Sequence, residues 1–270
     1  MSEKKILVPI DFTAVSEKIT NMAIRFAKQD GLGITLLHID NDKSGAEAEM
    51  NLHELSNKIR EEGDVDCNYI VKRGNFFSEI PKIAHSREYK LMVIGSHGFK
   101  GLREKFFGAD ILKLAKTIPI PVIVIQKNYE IPKDGFKTIV FPAGTHDSFI
   151  NIIDATIYLA KIFDSTVHLY TVEKPGIDWT DKLKANIELA REKFEENKIS
   201  YTRVNEDQSS FSVGYSKQIL QFSKTVHADL IALMSIPTRE HYYFADSDKE
   251  SLLTNDACLP IMCTSGEKIV

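Results

Sequence analysis

Shifted against itself, the chain repeats. At an offset of 133, Ile6-Leu7-Val8-Pro9 falls on Ile139-Val140-Phe141-Pro142, Ala27-Lys28 on Ala160-Lys161, and the run 34–39 (ITLLHI) on 167–172 (VHLYTV). At an offset of 139, Leu91-Met92-Val93-Ile94 falls on Leu230-Ile231-Ala232-Leu233, and Pro121-Val122 on Pro260-Ile261. Two self-consistent offsets imply two homologous units, the second carrying six additional residues. Domains are therefore expected at 1–130 and 131–270, joined across 127–133 (KNYEIPK), where polar residues and Pro132 suit a linker.

Within the first unit, short apolar runs alternate with helical patterns. The run 6–11 (ILVPID) reads as a strand. It is followed by Ile19, Met22, Ala23, Phe26 and Ala27 at helical spacing, stopped by Gly31 and Gly33. Further strands are expected at 34–39, 67–72, 90–95 and 121–126, with helices over 46–62, 77–86 and about 109–117. Strands that are Val, Ile and Leu throughout belong in a parallel sheet covered on both faces. The expected class is α/β, two tandem doubly wound domains with parallel five-stranded sheets of Rossmann-like type. In the second unit, 178–197 reads as a long surface helix, with Trp179 packed at its start.

Charge and cysteine content narrow the function classes. The 270 residues carry 34 Lys and Arg against 38 Asp and Glu, a formal charge of −4, which gives no bulk attraction to nucleic acid or an acidic membrane. No run approaches the roughly 18 apolar residues of a membrane span, and the start MSEKKILVPIDF lacks a secretory apolar core, so a cytoplasmic protein is expected. The three cysteines show no metal spacing. Cys258 and Cys263, five apart in an apparent strand, would face opposite sides of it.

The chemistry concentrates after the fourth strand. There the chain reads Gly95-Ser-His97-Gly98-Phe-Lys100-Gly101-Leu-Arg103-Glu-Lys105-Phe-Phe-Gly108-Ala109-Asp110. Glycines at a strand's carboxyl end, leading into a helix N-terminus, let backbone amides approach a phosphate; the same glycines can also serve only as turns. Asp11, at the tip of the first strand, can accept from ribose hydroxyls or an adenine amino group, or can cap the helix that follows. Ile39, ending the second strand, suits a base contact or core packing equally.

These residues resemble the universal stress protein family: ILVPIDF, LLHI, IGSHG and P-x-P-V-I-V-I fit it over essentially the whole first half. The family's nucleotide pattern is Gly, two residues, Gly, nine residues, Gly, then Ser or Thr, and Gly95, Gly98 and Gly108 stand at those spacings. The resemblance implies that Pro9, Ile10, Asp11 and Ile39 surround adenine and ribose, while Gly95, His97, Gly98, Gly101 and the backbone from Gly108 through Ala109 and Asp110 hold ribose and phosphates. ATP or another adenine nucleotide is the implied cofactor. Ala109 departs from the family by lacking a hydroxyl, and Asp110 puts a carboxylate at the helix end that should attract phosphate. The resemblance also implies an intramolecular pseudo-dimer, with strand 121–126 beside 259–264, and allows a homodimer of the whole chain.

The second unit has lost the pattern. Gly95, Gly98, Gly101 and Gly108 become Met234, Pro237, Glu240 and Ser247, and Asp11 becomes Gly144. An enzyme is not expected: there is no Gly-Lys-Ser/Thr loop and no metal or catalytic constellation, and His97, the one tempting base, suits a loop-structuring role. Two readings remain: a stress-response module that binds nucleotide in its first domain, and a nucleotide-free scaffold.

Overall fold

The structure is a computed structural model that describes residues 4–40, 45–96, 107–172, 178–206, 215–238 and 245–267. Its first half runs β1 (Lys5–Pro9), α1 (Ala14–Asp30), β2 (Gly33–Asp40), α2 (Gly45–Gly63), β3 (Cys67–Arg73), α3 (Phe76–Ala84), β4 (Tyr89–Gly95), α4 (Phe107–Ala115) and β5 (Val122–Ile125). The second repeats it as β6 (Thr138–Pro142), α5 (Phe149–Phe163), β7 (Thr166–Val172), α6 (Asp181–Glu196), β8 (Ser200–Glu206), α7 (Tyr215–Thr225), β9 (Leu230–Met234), α8 (Asp246–Leu253) and β10 (Ile261–Thr264). The six additional residues fall between β8 and α7. There 207–214 replaces the two-residue connection Gly74–Asn75 that joins β3 to α3.

The two five-stranded sheets are fused into one of ten strands, ordered β3-β2-β1-β4-β5-β10-β9-β6-β7-β8. Every pairing is parallel except β5 with β10, which run antiparallel with Val122, Ile123 and Val124 opposite Cys263, Met262 and Ile261. Ile123 and Met262 are equivalent positions at the offset of 139, so the halves are related by a local two-fold through that pair. The β5 edge is thereby covered.

Alternation along each strand fills two cores. From β1, Ile6 and Val8, with Ile10 just beyond it, enter one cluster with α1 and α2, while Leu7 enters another with α3 and α4. Both clusters draw residues from both halves; in the first, Phe26 of α1, Phe136 before β6 and Phe163 at the end of α5 form a trio with ring centroids 5.1 to 6.1 Å apart. The joining segment is accordingly docked, although its composition suits a free linker. Lys18 Nζ donates to Tyr129 O at 2.8 Å, and Arg25 donates to the Pro132 and Lys133 carbonyls. α1 and α5 end alike, on left-handed caps at the equivalent Gly31 and Asp164, whose N–H groups bond to Ala27 O and Ala160 O.

Two expectations need correction. Cys258 lies outside β10, in a turn at φ 55°, so the strand-side reasoning for it and Cys263 does not apply. α6 begins at Asp181 rather than 178, because Thr180 caps it, accepting from Leu183 N at 3.2 Å. Trp179 precedes the helix and packs on the core, with Arg203 of β8 5.6 Å from its ring.

Candidate functional site

β2, β1 and β4 are parallel neighbours, so their carboxyl ends lie side by side at one edge of the first half's sheet, the edge where a crevice of such a fold takes its ligand. β1 ends at Pro9; Ile10 N continues the ladder to Leu37 O at 2.7 Å, and then Asp11 turns the chain into α1. Asp11 is not the helix cap; Thr13 holds that position. Instead its Oδ1 accepts from Thr13 N (3.1 Å), Thr13 Oγ1 (2.7 Å) and Ser16 Oγ (3.0 Å). Its Oδ2 is buried and has no hydrogen-bond partner among the described residues. One carboxylate oxygen thus fixes the turn and the other is left as an acceptor.

Phe12 and His38, to which the motifs ILVPIDF and LLHI gave no role of their own, hold this turn. Phe12 sits at φ 60° with 41% of its surface exposed, and its ring lies 5.2 Å from that of His38. His38 Nδ1 donates to Ile10 O at 2.8 Å. The motifs that contain them do not show their contact; a left-handed backbone at a bulky residue marks the position. Ile39 is half-buried against the second core cluster.

Gly95 is the last residue of β4 and is buried. A Cβ there would stand 2.5 Å from Val15 Cγ1 of α1, so α1 packs on β4 at a spacing that admits no side chain. Gly108 is comparable: a Cβ would meet Glu250 O of α8 at 2.8 Å and Thr254 Cγ2 at 3.2 Å. Both glycines therefore have steric reasons independent of any ligand. Because α4 starts at Phe107, not near 109, Ala109 and Asp110 lie within its first turn, half-buried. His97, Gly98 and Gly101 lie outside the described residues.

The corresponding crevice of the second half is filled from within. Gly144, at the position of Asp11, leaves room for the ring of His146, whose Nδ1 would be 2.8 Å from a Cβ there. His146 Nε2 donates to Ile236 O at 2.9 Å, and Lys249 Nζ donates to the same carbonyl. Lys249 is wholly buried and stands where the first half has Asp110; His146 stands where it has Thr13. Burial, with help from the Lys249 charge, lowers the imidazole to about 4. Burial likewise lowers the Lys249 ammonium to about 8, against the pull of Asp246. Asn186 of α6 ties the loop down, donating to Gly144 O (2.7 Å) and His146 O (3.0 Å). Extending the two offsets residue by residue would have exposed Lys249 and His146 in the sequence.

Comparison with known proteins bears on the first half. The family model described as "Universal stress protein family" matches residues 3–126. That match takes in nearly all of the first half and none of the second. The universal stress protein YxiE of Bacillus subtilis is 23% identical over 145 residues, 45% of this chain and 98% of that protein. The universal stress protein MJ0531 of Methanocaldococcus jannaschii is 24% identical over 140 residues, 46% of this chain and 82% of its own. At full length, the structure of a universal stress protein from Archaeoglobus fulgidus superposes with a TM-score of 0.70 at 16% identity, covering 97% of this chain and 96% of that one. The fold of the whole chain thus has a precedent; fold alone does not assign a ligand. No described helix is long and apolar enough to cross a membrane, and no group of three or more His, Cys, Asp or Glu among the described residues is placed to hold a metal.

Proposed function

We propose that this chain is a universal stress protein, a stress-response module that binds one adenine nucleotide per chain, in its first half. The observation that carries the reading is Asp11 Oδ2: a buried acceptor, without a partner among the described residues, at the carboxyl edge where ligands of open α/β sheets settle. A ribose hydroxyl or the adenine amino group would satisfy it. Pro9, Ile10 and Ile39 would border the base. Gly95, Gly98 and the first-turn amides of α4 from Gly108 to Asp110 would receive the phosphates, with His97 and Gly101 in the same loop. Residues 131–270 serve as the structural partner of 1–130, an intramolecular pseudo-dimer supported by the β5–β10 pairing. A cytoplasmic place of action accords with three unpaired cysteines.

A second reading, a scaffold without nucleotide, is favoured by Ala109 and Asp110 and by the steric reasons already found for Gly95 and Gly108. Calorimetry separates the two. The binding reading expects one molar equivalent of ATP, ADP or AMP to bind the full chain, with Asp11→Ala weakening it at least about tenfold, a loss of 1.4 kcal/mol or more. Ala109→Ser and Asp110→Asn should each tighten ATP, the first by adding a donor and the second by removing a charge that faces phosphate; adenosine should respond to neither. No heat at millimolar nucleotide would leave the scaffold.

A further inference from the structure

Away from that edge, α1 and the segment joining the halves line an open cleft of about 580 Å³, within the size range of small-molecule sites. Lys18, Arg25 and Lys28 line it from α1, and Tyr129, Glu130 and Ile131 from the joining segment. Its charge is unbalanced: three cations face one carboxylate. Among the described residues none of the three cations has a carboxylate within 4.0 Å, so the charge that gathers at the cleft is not balanced by an ion pair.

Two of the cations are also held in place. Lys18 is fixed by the Tyr129 carbonyl and Arg25 by those of Pro132 and Lys133, neutral acceptors that orient the charge without cancelling it. Arg25 and Lys28, three residues apart, share a helix face about 4.5 Å apart along the axis, a like-charge placement that costs stability unless an anion lies between them. Half-buried Ile24 and Ile131, with the buried Tyr129, supply an apolar wall beside the charges.

We propose that this cleft binds a small phosphorylated molecule, its phosphate between Arg25 and Lys28 and its apolar body along Ile24, Tyr129 and Ile131. The site is separate from the nucleotide crevice and does not depend on it. Calorimetric titration of the full chain with phenyl phosphate and with inorganic phosphate tests it. Saturable binding is expected, tighter for phenyl phosphate, weakened at least about tenfold by Lys28→Gln and by Arg25→Gln, and unchanged by Gly98→Val. Arg25→Gln also releases the joining segment, so Lys28→Gln, which breaks no hydrogen bond described in the fold, is the deciding variant. Three results would each overturn the proposal: no saturable heat up to about 10 mM, undiminished binding in Lys28→Gln, or loss in Gly98→Val alone. Equal affinity for the two phosphates would overturn the part assigned to the apolar wall.

Discussion

Missing side chains play opposite parts in the two halves. At Gly95 the absent Cβ lets α1 lie against β4, while at Gly144 it admits an imidazole. Gly95→Ala should therefore force Val15 aside and destabilise the chain by about 1–3 kcal/mol in urea unfolding, with Val15→Ala partly restoring it. The two buried bases of the second half give a dependence on pH whose direction follows from their shifts. His146 is lowered from its usual 6.5 to about 4, so its contribution is complete above 6.5 and lost as pH falls toward 4. The loss is on the order of 3 kcal/mol, and His146→Gln should flatten that acid limb. Lys249, lowered from 10.5 to about 8, is penalised at neutral pH; stability should rise as pH climbs from 8 to 10.5, and Lys249→Met should abolish the rise. Asp164 strains a left-handed cap that its equivalent Gly31 occupies freely, so Asp164→Gly should stabilise by about 0.5–1 kcal/mol in thermal unfolding. At this scale the sequence nominated Asp11 and the glycines by spacing. It was silent on Val15 and Glu250, because what a glycine makes room for is decided by segments remote in the chain.

Elements were more legible than contacts. Uninterrupted apolar runs marked the strands, because a strand covered on both faces has no polar side, and the offsets carried those assignments into the second half. Helix starts were less legible: α4 begins before the glycine meant to precede it, and α6 waits for Thr180. The pairing of α4 with α8 had no local signature at all. These helices pack antiparallel, with Gly108 against Glu250 and Thr254 at one end and a Lys116–Asp246 ion pair of 2.6 Å at the other. The ends should differ in weight. Gly108→Ala drives a carbon into a backbone carbonyl that cannot rotate away, and is expected to cost about 2 kcal/mol or more. Lys116→Ala breaks a pair exposed at 28% and 45% and should cost under about 1 kcal/mol. Chemical denaturation of the two variants, compared at one pH, checks the ranking.

At the scale of the molecule, one sheet and two shared cores make the halves interdependent. Residues 1–130 alone would expose the β5 edge and the α4 face and would leave Phe26 without Phe136 and Phe163. That fragment should dimerise or aggregate in sedimentation; a stable monomer would mean that the edge needs no cover. Val124→Lys in the full chain would place an ammonium at the buried pair Val124·Ile261 and should split a single unfolding transition into two, or lower it markedly.

The pair at the local two-fold, Ile123 against Met262, carries a consequence for inheritance. Where two identical subunits meet on an axis, every substitution arrives twice, facing its own copy, so only self-complementary changes survive. Encoding both sides in one reading frame lifts that restriction. Isoleucine can face methionine and a glycine can face a glutamate carbonyl, and one crevice can close around a lysine without closing the other.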